Sequence, residues 1–243
     1  MSNLAETPFI SIDDYLAGET LALVKHEYVD GEVFAMAGAT EQHVTIAGNV
    51  FAMLRAHVRG GPCRVYMADM KLRVEAARAF FYPDVFVTCD PADGARPLVK
   101  ERARIIIEVL SDSSEAYDRG GKFASYRQLA TLEEYVLIDS RAPAVEVFRR
   151  HPEGWMLQSV PMNGPLCLRT LGFECALEAV YEDVHFPPAP AEQSEGLDQD
   201  SGHLGSPDAS SGHPDLTPSG LEALTTQQDS PAIQLPTGVP PPR

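Results

Sequence analysis

Along the first 182 residues of the chain, apolar residues recur either at the spacing of a β-strand or at the spacing of an α-helix. Two short runs, residues 25–29 and 32–36, flank Asp30-Gly31, which is the strongest signal for a two-residue hairpin turn. A helix is predicted over residues 41–58, with Thr40 as its N-cap. The apolar stripe of that helix consists of Ala47, Val50, Leu54 and Val58.

Strand-like runs dominate the rest of this region, with one further helix among them. Asp112 and Glu115 have the spacing of a capping box and predict a helix that ends near Leu129. The predicted strands cover residues 64–74, 80–89, 104–110, 135–139, 145–149 and 155–160. This order predicts an α/β fold of the mixed α+β kind, with a central mixed β-sheet flanked by helices.

The last 61 residues differ in composition from the rest. Residues 183–243 hold 11 of the 20 prolines, nine acidic residues and one basic residue, and Phe186 is their only aromatic residue. Such a segment buries too little apolar surface to offset its ordering entropy, so we expect one domain at residues 1–182 and a disordered acidic tail at 183–243. A solubilising extension is favoured over a tether or an autoinhibitory mimic of nucleic acid.

The formal net charge of −16 argues against a protein that grips nucleic acid by surplus positive charge. Half of that charge lies in residues 183–243, whereas residues 64–127 hold ten acidic and eleven basic side chains. The net charge of the whole chain therefore does not exclude a nucleic-acid substrate that binds at this near-neutral segment. No apolar run reaches the roughly 18 residues that a membrane span needs, and the first 30 residues lack the pattern of a secretory signal.

The four cysteines are Cys63, Cys89, Cys167 and Cys175, and none of them forms a CxxC pair. Without such a pair or matching histidines, a zinc site or a disulfide framework is not expected. A reducing cytoplasm is the location that fits this cysteine usage best.

Two acidic residues stand where apolar residues are expected. Asp84 follows Pro83 at the start of the apolar run Val85-Phe86-Val87, and Glu108 interrupts a run that reads as a strand buried on both faces. Asp84 alone is also typical of a turn, and Glu108 could be paired with an arginine such as Arg104. If the two strands are neighbours, the carboxylates converge and a hard cation such as Mg²⁺ would relieve their repulsion.

Lys122 could supply positive charge near Glu108, although Asp118 at i−4 also suits an ion pair on a solvated helix face. Glu27 lies opposite Phe34 in the predicted hairpin and either points inward or belongs to a solvated hairpin. His43 fits a capping or core residue better than a ligand.

Two common catalytic motifs are ruled out. A Walker A motif is excluded by Ala116 and Phe123, and no G-x-S-x-G motif is present.

Several motifs in order resemble the Uma family of restriction endonucleases, which belongs to the PD-(D/E)XK nuclease superfamily. The resemblance covers about residues 7–182. Its motifs are Glu27-Tyr28-Val29-Asp30-Gly31, Met36-Ala37-Gly38 with His43, Ala68-Asp69-Met70-Lys71, Pro83-Asp84, Glu108-Val109-Leu110-Ser111, Asp118-Arg119-Gly120-Gly121-Lys122, Tyr126 and Leu132-Glu133-Glu134-Tyr135-Val136-Leu137.

The resemblance implies a restriction-endonuclease-like core and a Mg²⁺ or Mn²⁺ ion held by Asp84, Glu108 and the backbone carbonyl of Val109. The superfamily lysine would stand two residues after Glu108, where this chain has Leu110. The resemblance assigns its role to Lys122 instead. It also implies Glu27 as the extra acidic residue of the site, and it suggests supporting positions for His43 and Asp69.

Two functions follow from these observations. The first is a metal-dependent endonuclease that hydrolyses DNA, either as a monomer or as a homodimer with paired sites. Basic residues before Glu108 could then contact the DNA backbone or form a solvated loop; they are Arg96, Lys100, Arg102 and Arg104. The second is a catalytically inactive interaction or regulatory module that keeps the fold, favoured by the acidic domain and by Leu110.

Overall fold

The structure is a computed structural model that describes residues 9–186, so the predicted tail lies almost entirely outside the described residues. In chain order, its strands are β1 (His26–Val29), β2 (Glu32–Ala35), β3 (Arg64–Met67), β4 (Lys71–Val74), β5 (Ala79–Phe81), β6 (Val85–Thr88), β7 (Val99–Lys100), β8 (Ala103–Leu110), β9 (Glu134–Asp139), β10 (Val145–His151), β11 (Gly154–Ser159), β12 (Pro165–Leu168) and β13 (Phe173–Ala176). The helices are α1 (Ile12–Leu21), α2 (Glu41–His57), α3 (Pro91–Gly94), α4 (Glu115–Tyr117), α5 (Phe123–Tyr126) and α6 (Leu177–Val180).

The strands form two principal sheets, which confirms the predicted mixed α/β fold. One sheet has the order β2-β1-β5-β4-β7, the other has the order β11-β10-β9-β8-β6-β3, and β12 pairs with β13 alone. In the six-stranded sheet β8 and β9 run parallel, while the other neighbours run antiparallel. The predicted hairpin is confirmed as β1 and β2, and Asp30 and Gly31 both have positive φ, as that turn requires.

Two predicted strands are each broken in the structure. The run 64–74 divides at a turn around Ala68, whose φ is 26°, and its halves β3 and β4 join different sheets. The run 80–89 divides at Pro83, which has no N–H to donate to a sheet. The second break is important for the site, because it leaves Asp84 directly before β6.

Helix α2 agrees with its prediction, and the hydroxyl of Thr40 accepts a hydrogen bond from the His43 N–H. The second predicted helix differs in two ways. It begins at Glu115 after Ser114, so Asp112 is not its N-cap, and a π-helical turn over Asp118–Lys122 separates α4 from α5. Within residues 9–186, no helix is long and apolar enough to cross a membrane.

The central strands β6, β8 and β9 are buried on both faces, because α2 packs on one face and the five-stranded sheet with α5 packs on the other. Successive residues of β8 alternate between these two layers. Ile105 and Ile107 pack in the layer of α2, whereas Ile106 and Leu110 pack in the layer of Tyr126. Glu108 has the parity of Ile106 and therefore points towards the layer of Tyr126.

A disulfide between Cys63 and Cys89 contradicts the expectation that the cysteines are unpaired. The spacing along the chain gave no signal because strand pairing, rather than sequence proximity, brings the two residues together. β3 pairs antiparallel with β6 through Arg64 and Thr88, and the cysteines are the next residues outward on each strand. The cytoplasmic location inferred from unpaired cysteines loses this support and stays a prediction.

Reduction of this disulfide is expected to destabilise the fold. The bond closes a loop between positions 26 residues apart, and a loop of this size contributes about 2–4 kcal/mol to the free energy of unfolding. Dithiothreitol should therefore lower the melting temperature of the wild-type protein. It should have no effect on the double variant Cys63→Ala/Cys89→Ala, whereas Cys167→Ala should respond like the wild type. An equal melting temperature of the wild type with and without reductant would contradict this expectation.

Candidate active site

Asp84 and Glu108 lie side by side on neighbouring strands, as the sequence predicted. β6 and β8 pair antiparallel with Val85 opposite Ile107, which brings Asp84, the residue directly before β6, beside Glu108 on β8. The backbone N–H of Asp84 donates to Oε2 of Glu108 at 3.1 Å. In return, the backbone N–H of Val109 donates to Oδ2 of Asp84 at 2.7 Å. The two carboxylates are thus fixed relative to each other by backbone groups.

Glu108 is almost completely buried, with 2% of its surface exposed. Its Oε1 accepts a hydrogen bond from the hydroxyl of Tyr126 at 2.8 Å. Burial raises the pKa of Glu108 well above its ordinary value, and Lys122 opposes that shift by its positive charge. The negative charges of Asp118, Asp84 and Glu27 raise the pKa further. The alternative of a structural arginine partner is not realised, because Arg104 pairs with Glu133 instead.

Lys122 is buried, so the alternative of a solvated surface lysine is wrong. Its Nζ lies 3.1 Å from Oε1 of Glu27, 3.2 Å from Oδ1 of Asp118 and 3.5 Å from Oε1 of Glu108. Burial alone lowers the pKa of a lysine, but the charges of Glu108, Glu27 and Asp118 outweigh it and raise the pKa well above the ordinary value. The ammonium group therefore stays charged at neutral pH.

The π-helical turn places Lys122 among these carboxylates. Such turns are rare and often occur at functional sites, where an extra residue in the helix re-aims the side chains. The turn covers Asp118–Lys122 and so contains both members of the i, i+4 pair that the sequence suggested. The pair forms, but in a buried cluster rather than on a solvated face. Asp118 was predicted only as a partner of Lys122, and its contribution to the site was missed.

Glu27 comes to the site from the other sheet. It lies opposite Phe34 in the hairpin, as predicted, and it points inward with 7% of its surface exposed. Burial raises the pKa of Glu27, while the charge of Lys122 lowers it in part. Oε1 of Glu27 and Oδ1 of Asp118 are both buried, and both face the same Lys122 Nζ at 3.1 and 3.2 Å. One ammonium group therefore serves several buried carboxylates.

His43 joins the site, whereas Asp69 does not. Nε2 of His43 lies 3.2 Å from Oδ2 of Asp84. Burial lowers the pKa of His43, but hydrogen bonds to Asp84 and to the backbone of Val109 raise it above its ordinary value. The side chain of Asp69 is 81% exposed and pairs with Lys25 at the surface. The supporting role suggested for Asp69 therefore has no basis in the geometry.

The donors at the site suit a hard divalent cation. Four carboxylates surround a single lysine and a histidine; they belong to Glu27, Asp84, Glu108 and Asp118. Within residues 9–186, no three His, Cys, Asp or Glu side chains form a ready metal cage. Mg²⁺ does not need such a cage, because it is usually held by one or two carboxylates and keeps several waters. The excess of buried carboxylates over cations, and the carboxylate oxygens of Asp84 and Glu108 as donors, fit that kind of ion.

The basic residues before Glu108 are occupied by the protein itself. Arg96 pairs with Glu101, and Arg102 pairs with Asp90. Lys100 is buried and donates to the carbonyl of Asp93 at 2.7 Å. Asp84 lies at the start of β6, whereas these three residues come after its end. They therefore do not form a contact surface for a DNA backbone at the site.

Replacing Tyr126 by phenylalanine is expected to weaken both the fold and the site. The buried carboxylate of Glu108 would lose a donor at 2.8 Å, which costs about 1–3 kcal/mol in the free energy of unfolding. The same loss favours the protonated form of Glu108, which weakens Glu108 as a charged group of the site. Urea unfolding measures the effect on stability. Tyr181→Phe is the control for loss of a hydroxyl away from the site, where the hydroxyl donates to the backbone. An unchanged free energy of unfolding in Tyr126→Phe would contradict the expectation.

Comparison with known proteins gives a consistent assignment. The chain is 32% identical over 183 residues to the uncharacterized protein slr1290 of Synechocystis, which covers 75% of this chain and 96% of that protein. It is 31% identical over 153 residues to the uncharacterized protein sll1609 of the same organism, covering 62% and 86%. A crystal structure of a putative nuclease belonging to DUF820 from Anabaena variabilis superposes with a TM-score of 0.60 and 14% identity, over 71% of this chain and 97% of that one.

That crystal structure supports a nuclease-like fold. The model of the Uma2 family, described as "Putative restriction endonuclease", matches residues 12–178, which is well over half of the chain. The matched region contains every residue of the cluster around Lys122. The chain belongs to the Uma2 family.

Proposed function

We propose that this protein is a divalent-metal-dependent endonuclease that hydrolyses phosphodiester bonds in DNA. The observation that carries the proposal is the position of Lys122, whose ammonium group lies within 3.5 Å of three carboxylates, including Glu108 beside Asp84. Burying several carboxylates around one cation destabilises the fold. Such clusters of ionisable groups with shifted pKa values are typical of functional sites. Family membership and the nuclease-like fold support the same conclusion.

Asp84, Glu108 and the carbonyl of Val109 would hold Mg²⁺ or Mn²⁺. When bound, the ion would activate water for attack on the phosphate and stabilise the charge that develops there. Asp84 keeps the orientation needed for this task through its contacts with His43 and the Val109 N–H. Tyr126 and the Asp84 N–H hold the carboxylate of Glu108 in place.

Lys122 would stabilise the negative charge of the phosphate in the transition state. Its raised pKa favours this role over that of a base, since a charged ammonium group cannot accept a proton from water. Glu27 and Asp118 hold the ammonium group from two sides. Lys122 thereby supplies the charge that the buried Leu110 cannot, which weakens the argument for an inactive module.

A cleavage assay on purified full-length protein tests the proposal. Supercoiled plasmid and single-stranded DNA are incubated with Mg²⁺, with Mn²⁺ or with EDTA, and the products are separated by electrophoresis. We expect cleavage that depends on the metal and is retained by Glu75→Gln, a control in which an exposed carboxylate is removed. Equal background cleavage with metal and with EDTA would overturn the proposal. Cytoplasmic location and dimerisation are separate predictions that this assay does not address.

A further inference from the structure

The hairpin carries an exposed aromatic side chain beside Glu27. Phe34 lies directly opposite Glu27 in the antiparallel pair, and directly opposite residues project from the same face of a sheet. The side chain of Glu27 extends from that face to Lys122. Phe34 is 47% exposed, so an apolar ring lies next to Glu27 and in contact with solvent.

A second exposed aromatic residue stands beside Lys122. Tyr117 ends α4 and is 40% exposed. Its ring lies against the backbone of Gly121, because a Cβ atom built on that glycine would be only 2.5 Å from Cε2 of the ring. Gly121 directly precedes Lys122, so the ring of Tyr117 covers the backbone that delivers the ammonium group. Burial raises the pKa of Tyr117, and the negative charge of Glu27 raises it further, which agrees with this placement.

Two positive side chains close to Lys122 and Glu27 along the chain are engaged within the protein. Arg119 belongs to the same helical turn as Lys122, and it pairs with Glu115 at 2.8 Å and also with Glu146. Lys25 pairs with Asp69 at the surface. Duplex DNA is gripped chiefly through its phosphates by free lysines and arginines. Single strands are also held through their phosphates, but their unpaired bases can in addition stack on aromatic rings, which the paired bases of a duplex cannot do.

We propose that Phe34 and Tyr117 stack against unpaired bases, so that the site takes a single-stranded or locally unpaired DNA segment in preference to an intact duplex. The inference rests on the proposed nuclease function and names its substrate class. The rings would hold the bases while the phosphate between them faces Asp84, Glu108 and Lys122. Stacking is tolerant of base identity, so the preference concerns strand pairing and not sequence.

Fluorescence anisotropy with labelled oligonucleotides tests the inference on the full chain, with EDTA present to prevent hydrolysis. We expect the single strand to bind more tightly than the duplex of the same sequence. Phe34→Ala and Tyr117→Ala should each weaken single-strand binding about 5- to 150-fold, a range that corresponds to the loss of one base stack. Tyr117→Phe keeps the ring and should bind like the wild type.

Met156→Ala is the matched control, because Met156 is 56% exposed on the edge strand β11, three strands from β8. Duplex binding equal to or tighter than single-strand binding, or alanine variants that bind like the wild type, would overturn the inference. A protein that cleaves duplex DNA with metal and is insensitive to both alanine changes would retain the nuclease function without the stacking. The opposite result is also possible: the wild type cleaves no DNA, but it binds single strands and the alanine variants lose that binding. This result would support the binding site for single strands and refute hydrolysis.

Discussion

Replacing Asp84 by asparagine is expected to reduce metal-dependent DNA cleavage by at least about 100-fold, the range seen when one electrostatic contributor to a transition state is removed. Asparagine has the shape of aspartate, and its side-chain oxygen can still accept the hydrogen bond from the Val109 N–H. The change removes the negative charge that attracts the cation. It also removes a charge that repels Glu108 and the charge that pairs with His43, so the two effects on the stability of the fold oppose each other.

The measurements are initial cleavage rates with Mn²⁺ and thermal unfolding with and without the ion. Mn²⁺ should raise the melting temperature of the wild type, since a ligand that binds only the folded state stabilises it. The shift should be much smaller in Asp84→Asn and unchanged in Glu75→Gln. Cleavage by Asp84→Asn within a few-fold of the wild-type rate would refute the assignment of Asp84 as a metal ligand.

Replacing Lys122 by methionine is expected to have the largest effect on stability. Methionine fills a similar volume, but it leaves the carboxylates of Glu27, Glu108 and Asp118 without their cation. Breaking a buried ion pair from one side costs about 3–5 kcal/mol. Cleavage should also fall by about 100-fold or more under conditions where the variant remains folded. Urea unfolding and a cleavage assay in the folded range measure the two effects.

The stability deficit of Lys122→Met should depend on pH. Burial already raises the pKa values of Glu108 and Glu27 above their ordinary values, and loss of the lysine charge raises them further. Between the unfolded and the folded pKa values, the folded protein binds more protons than the unfolded chain, so its stability increases as the pH falls. The deficit relative to wild type should therefore be smaller at about pH 5 than at about pH 7.

The double variant Lys122→Met/Glu108→Gln provides the matched control for this pH effect. It removes a carboxylate that is 2% exposed together with its cation, so it should be more stable than Lys122→Met at neutral pH. It should also show a weaker pH dependence. An equal deficit at both pH values would mean that the carboxylates are not the source of the instability.

The pairing of Asp84 with Glu108 could be predicted because the signal is local. Each residue is an acidic side chain in an apolar run, and the loop between the runs is short enough for neighbouring strands. The alternation of side chains along β8 then determines the face to which Glu108 points. The hairpin and α2 were predictable for the same reason, since a turn signal and a helical period act over a few residues.

The environment of Lys122 could not be predicted from its own helix. A lysine four residues after an aspartate reads as a surface pair, and only the arrival of Glu27 from the other sheet makes the position a buried one. The disulfide and the pairing of β12 with β13 depend on contacts of the same long-range kind. The π-helical turn was missed because glycines at 120 and 121 permit it without requiring it.

Binding of Mn²⁺ to the full chain, followed by electron paramagnetic resonance of the free ion, tests most directly whether the carboxylates around Lys122 form a cation site. The nine acidic residues of 183–243 are present in both wild type and Asp84→Asn, so any ion that they hold is common to the two proteins. We expect the wild type to remove more free Mn²⁺ than Asp84→Asn, by one saturable site for each chain. Identical binding curves for the two proteins would contradict a metal centre at Asp84 and Glu108.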